Sequence, residues 1–175
     1  MKNSKLYEYN QLRPFMRTGD LIEWASPTAV GWIIRKVTRQ KVNHSSLLLN
    51  LDRFEGLMQR RFILEALESG IVLNLLSERL RKFGGKVYWS RLKPEYNPKR
   101  HQIAAWALQR VGTAYDYKSL FANMFGAVSQ DAKKFFCSEF YQAALMSVGI
   151  NLEGKAARPG EFEKYHIHKN AIQIF

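Results

Sequence analysis

A chain of 175 residues with 27 lysines and arginines against 15 acidic residues carries a formal charge of +12. That length suits one domain with a proper hydrophobic core. The single cysteine excludes an internal disulfide framework, and no CxxC pair is present to hold a structural zinc. The basic excess points to an anionic partner, whether nucleic acid, a membrane surface or an acidic polymer. The densest basic stretches, "IIRKVTRQK", "MQRR" and "RLRKFGGKVYWSRLKPEYNPKR", carry no helix-turn-helix, RNP-type strand or Cys/His zinc spacing, so nucleic acid is not expected as the primary partner. No apolar run has signal-peptide or bilayer-spanning length, and a soluble cytoplasmic protein is the expectation.

"TGDLIEW" opens with a turn at Thr18 to Asp20 and continues as a short strand. "SPTAVGWIIRKVT" predicts a helix over about 27–37, with Ser26 as N-cap, Pro27 first, and Val30, Ile33, Ile34 and Val37 on one apolar stripe. "NHSSLLLNL" and "RRFILEAL" are apolar runs of strand length. The Ser69-Gly70 turn predicts that "FILEAL" pairs antiparallel with "IVLNL". Ser77 is placed to cap a short helix in "ERLRKF", ending at Gly84-Gly85, and "KVYWSRL" alternates as another strand. "YNPKRHQIAAWALQRVG" predicts a helix capped by Asn97, apolar at Ile103, Ala104, Ala107, Leu108 and Val111, and stopped by Gly112. After a mixed region with a helical piece near 118–125, a helix begins near Cys137. Its apolar stripe is Phe140, Tyr141, Ala144, Leu145 and Val148, and it ends at Gly149. The tail closes with "AIQIF", a candidate edge strand.

A free cysteine is often plain core filling. At the first turn of a helix, however, the backbone dipole and unpaired amide hydrogens favour a thiolate, and the amide of Cys137 itself is placed to stabilise an oxyanion. Of four histidines, His101 reads as a solvated surface residue. His166 and His168 share a face if they lie on a strand, where a metal site is conceivable, but the surface reading is preferred. His44 leads the apolar strand "SSLLLN"; it is either a core histidine bonded to backbone or the base for Cys137. Glu65, inside "FILEAL", is costly to bury without a partner. It can orient the His44 ring, the third element that triad logic needs, or pair with an arginine such as Arg35 or Arg61.

Together "GDLIEW", "NHSSLLLN", "FILEAL", "GTAYDY" and "FFCSEF" resemble the papain-like fold of the NlpC-type cell-wall peptidase superfamily. Ordinary members carry the cysteine helix before the histidine strand. The order here, His44, Glu65, Cys137, resembles the circularly permuted YiiX/YaeF-like branch, from about Gly19 to Pro159 and including "ARPGEF". The resemblance implies an α+β fold, a small antiparallel sheet or partial barrel packed against helices, in a single domain over 1–175. It further implies a Cys-His-Glu thiol hydrolase acting on an amide bond, with Cys137 as nucleophile, His44 as base and then acid, and Glu65 as the orienting group. Tyr115 is nominated as a substrate or oxyanion contact, although Ala114 stands where relatives often have proline. Asp20 reads as structural, and Ser138 and Glu139 as helping to start the helix. No metal or organic cofactor is expected; the partners expected are a peptidoglycan-like peptide, another amide or a lipid, on an anionic polymer or membrane surface. Two alternatives stand beside this reading. One is lipid acyl chemistry of the lecithin:retinol acyltransferase kind, which "FCSEF" fits poorly; the other is a basic, non-catalytic binding module on the same fold.

Overall fold

Short apolar runs bounded by polar residues pair into an antiparallel sheet, and the computed structural model, which describes residues 6–54, 56–67, 69–113, 136–152 and 157–175, is built around one. Its strands are β1 (Leu21–Ala25), β2 (His44–Leu49), β3 (Phe62–Leu67), β4 (Gly70–Leu75), β5 (Lys86–Ser90) and β6 (Ile172–Gln173). They lie in the order β4-β3-β2-β1-β5-β6. The described helices are α1 (Tyr7–Leu12), α2 (Ala29–Thr38), α3 (Leu76–Lys82), α4 (Arg100–Leu108) and α5 (Phe136–Met146). The predicted helical piece near 118–125 lies outside the described residues.

Period-two alternation sends successive side chains to opposite faces. Leu21, Leu47, Leu49, Leu64 and Ala66 bury one face against Ile103 and Ala107 of α4 and Phe140, Tyr141, Ala144 and Leu145 of α5. Ile22, Trp24, Leu48, Ile63, Val87 and Trp89 bury the other against Leu76 and Leu80 of α3 and the N-terminal Leu6, Tyr9 and Met16. Register is fixed because a one-residue slip would turn every strand side chain to the opposite layer.

The loop before β1 is anchored by Asp20, which is fully buried. Its carboxylate accepts from the Arg17 and Leu92 amides at 3.0 and 3.1 Å, from Trp89 Nε1 at 2.9 Å and from Arg100 Nη1 at 2.8 Å. Four donors, one of them a guanidinium, make this buried charge tolerable. Gly19 turns with φ of +85°, a left-handed conformation that any side chain would strain.

Three expected caps differ from those observed. Pro27 stays outside α2, and Thr28 is the cap, its hydroxyl accepting from the Gly31 amide at 3.1 Å. Ser26 is drawn away because its amide donates to Asn43 Oδ1. Asn97 lies within a 3-10 turn, Pro94–Lys99, and its side chain accepts from Arg100 Nε at 2.9 Å instead of capping α4. Ser77 lies inside α3, whose start has no side-chain cap. Ile33 also departs from expectation, since it is 53% exposed.

Candidate active site

The ladder between β2 and β3 runs from Leu49↔Phe62 to Leu47↔Leu64 and no further. Beyond it each strand remains paired with its other neighbour, Trp24↔His44 on one side and Glu65↔Val72 on the other. The sheet therefore parts at the end where His44 and Glu65 stand. In that gap His44 Nε2 lies 2.8 Å from Glu65 Oε1. The helix α5 packs on β2 and β3, and Cys137, its second residue, is close enough to hydrogen-bond the His44 ring. With Nε2 taken by Glu65, Nδ1 is the nitrogen left for the thiol.

Glu65 is wholly buried, and its charge is held by more than the imidazole. Asn74 of β4 donates to Oε2 at 2.9 Å, and Arg79 Nε of α3 donates to the same oxygen at 3.2 Å. The Arg79 guanidinium also lies over the Trp24 ring, 5.2 Å from its centroid. Burial alone would raise the Glu65 pKa; the hydrogen bond and charge of His44, the charge of Arg79 and the Asn74 bond overcome it and hold the carboxyl below its ordinary value. His44 shows the mirror image. Burial pushes the ring toward neutrality, yet the charge and hydrogen bond of Cys137 and those of Glu65 lift its pKa to about 10. A ring that stays protonated across the neutral range is a standing counter-ion for a thiolate.

The thiol is 6% exposed. Glu139, in the first turn of the same helix, is pushed up to about 7 by burial. Tyr115 lies outside the described residues. Neither Arg35 nor Arg61 meets Glu65: Arg35 bonds the Ser26 carbonyl and Asn43, and Arg61 bonds the carbonyls of Met16, Met58 and Arg60. The partners are Arg79 and Asn74, which the sequence reading did not single out. A lone asparagine in the apolar strand "GIVLNL" was the available signal for one of them.

His101 and His166 are exposed, as expected. His168 is not a surface residue in its chemistry: Nε2 lies 2.7 Å from the Tyr141 hydroxyl. That hydroxyl gives its proton to the Gly19 carbonyl at 2.8 Å, so the imidazole donates to Tyr141. Burial first, then the Arg100 charge, lowers the His168 pKa to about 3. The cause is topological, because residue 168 bridges Leu92 at the sheet margin and is carried inward against α5. Among the described residues no group of three histidines, cysteines and carboxylates is placed to hold a metal ion.

Histidine strand, carboxylate strand and cysteine helix thus occur in that chain order around one parted sheet end. The model of the family described as permuted papain-like amidase enzyme, YaeF/YiiX, C92 family, matches residues 15–159. The chain belongs to this family. It is accordingly a cysteine amidase/peptidase, and the α+β, permuted papain-like class expected from the sequence is the one observed. Among solved structures it is similar to the metalloprotein yiiX from Escherichia coli O157:H7, at 18% identity and a TM-score of 0.58, over 79% of this chain and 69% of that one. At that identity the likeness concerns the fold. A comparison with curated proteins gives no match.

Proposed function

We propose that the chain hydrolyses a peptide or isopeptide bond through a thioester on Cys137, with His44 as proton carrier and Glu65 as its orienting partner. The observation that carries this reading is the His44 ring shared between the Cys137 thiol and a buried, ionised carboxylate. The Cys137 thiolate adds to the carbonyl carbon, and the resulting oxyanion lies at the α5 start, where backbone amides are oriented to receive it. As the C–N bond breaks, His44 gives its proton to the leaving amine. A water then attacks the thioester, surrendering one proton to His44, and the C–S bond breaks to release the acid and restore the thiolate-imidazolium pair.

Glu65 keeps the ring in the orientation and charge state that both transfers need. Its own ionisation is secured by Arg79 and Asn74, so the proton stays on the imidazole. Small peptides of cell-wall type, carrying amide and isopeptide bonds, are the substrates of first choice. Among the described residues, no helix is long and apolar enough to cross a membrane.

The test is trapping. Acid quenching during incubation with a peptidoglycan-derived peptide should yield, by mass spectrometry, an acyl adduct on Cys137, and Cys137→Ala should lose both adduct and turnover. Unchanged turnover in Cys137→Ala would remove the thiol from the reaction.

A further inference from the structure

The α2 helix joins the end of β1 to His44, so it stands at the same end of the sheet as the parted strands. Its outward stripe is Ala29, Trp32, Ile33 and Lys36, spaced by three and four residues. Trp32 and Ile33 are each 53% exposed, side by side on the helix surface. The ammonium of Lys36 lies 4.8 Å from the Trp32 ring centroid. Arg39 and Lys41, just beyond the helix, are exposed as well. From Trp24 to Leu51 the chain has basic residues and no acidic one. Lys82 and Lys86 extend the charge: both are exposed, Lys86 pairs with Ala25, and Gly84 between them lies against Pro27.

The helix is held in this rotation by bonds on its other side. Thr28 caps it, and Arg35 is tied to the Ser26 carbonyl and Asn43. The sequence thus places two large apolar side chains in solvent where a turn of the helix would have hidden them. Two large apolar side chains standing together in solvent mark a candidate contact surface.

We propose that this face docks reversibly on an anionic phospholipid bilayer, with Trp32 and Ile33 at the acyl boundary and Lys36, Arg39 and Lys41 among the headgroups. An exposed apolar pair on a helix, flanked by long basic side chains, matches a surface with an acyl interior and anionic headgroups. A polyanion in water would engage the cations and leave the tryptophan and isoleucine wet. Docking brings the His44 end of the sheet to the lipid surface, which makes an amide or acyl substrate anchored in that surface the natural one; this last step rests on the catalytic reading above.

The experiment is vesicle co-sedimentation of the full chain, with Cys137→Ala run in parallel so that loss of catalysis and loss of docking are read separately. Binding is expected to mixed phosphatidylglycerol and phosphatidylcholine vesicles, to weaken with salt, and to be much poorer on phosphatidylcholine alone. Lys36→Gln with Arg39→Gln should weaken it roughly 25-fold, and Trp32→Ala with Ile33→Ser by on the order of tenfold. Brominated lipid should quench tryptophan fluorescence far more in the native chain than in Trp32→Ala, because Trp24 and Trp89 are buried and Trp106, on α4, is half-buried with the Arg110 guanidinium over its ring. Equal binding to neutral vesicles would overturn the proposal. So would binding indifferent to Trp32 and competed away by polyglutamate, which would mean a charge-only site. A dimer that Trp32→Ala dissociates, with vesicle binding unchanged, would assign the face to a second copy of the chain.

Discussion

Two carboxylates sit on central strands of the same sheet, on opposite faces, and their surroundings treat them oppositely. Glu65 meets His44, Arg79 and Asn74 and stays ionised below the ordinary carboxylate range. Glu23, 5% exposed, has the Gly160 amide at 2.8 Å as its hydrogen-bond donor; burial, with the nearby Glu163 charge adding to it against that one bond, pushes its pKa up to about 7. Burial is common to both. The difference is the partners: it suits Glu65 to the orienting role proposed for it, and leaves Glu23 holding the segment around Gly160.

The sharpest way to break this comparison is to remove what Glu65 serves. His44→Ala should lower turnover on an amide substrate by on the order of 10²- to 10⁴-fold. Glu65→Gln, similar in shape but unable to stabilise the imidazolium, should cost on the order of 10²-fold or more and pull the His44 titration down from about 10. Glu23→Gln should leave turnover close to native, since that carboxylate touches none of the three groups. Equal losses from Glu65→Gln and Glu23→Gln would erase the distinction.

Stability against pH sharpens the same contrast. Glu23 is raised, so the folded state holds its proton longer than the unfolded chain does, and stability falls as pH rises from about 4.5 to about 7. That loss amounts to about 3 kcal/mol by alkaline pH. Glu23→Gln, which keeps an acceptor for Gly160, should gain it back in urea melts above pH 7 and gain nothing near pH 4. Glu65 is depressed, so its contribution is present above about 4.5 and disappears as pH falls through its folded value. His44, raised, contributes fully below about 6.5 and loses that contribution as pH climbs to about 10. The three together place maximum stability in the mildly acidic range. The smallest effect expected is from Thr28→Ala, which removes the α2 cap and should cost about 1 kcal/mol, read as a small fall in the urea midpoint.

Much of the fold was legible because local rules sufficed. Alternation in "KVYWS" and the apolar runs "DLIEW" and "FILEAL" mark strands, Gly70 turns β3 into β4, and the stripe of Phe140, Tyr141, Ala144 and Leu145 marks the core face of α5. The edge strand in "AIQIF" is present as β6 beside β5. The proximity of His44 and Glu65 was legible from chain order and the cost of a carboxylate in an apolar run. Arg79 and Asn74 were not, because they reach Glu65 across β4 and α3, where register and sheet twist decide which polar side chain arrives. His168 was misread for a related reason. Two histidines spaced by two near a terminus look exposed until the tail is seen to bridge Leu92 and carry one ring under α5. Ile33 belonged to a predicted apolar stripe, but the Thr28 cap and the Arg35 bonds set the helix rotation.

The most direct measurement is the rate of Cys137 alkylation by iodoacetamide from about pH 4 to 9, on the native chain and on His44→Ala, against a free thiol of pKa near 8.5. The thiolate-imidazolium account predicts rapid labelling well below that reference in the native chain and its loss with His44. Slow labelling that follows the free-thiol curve and ignores His44 would contradict it and return Cys137 to the core.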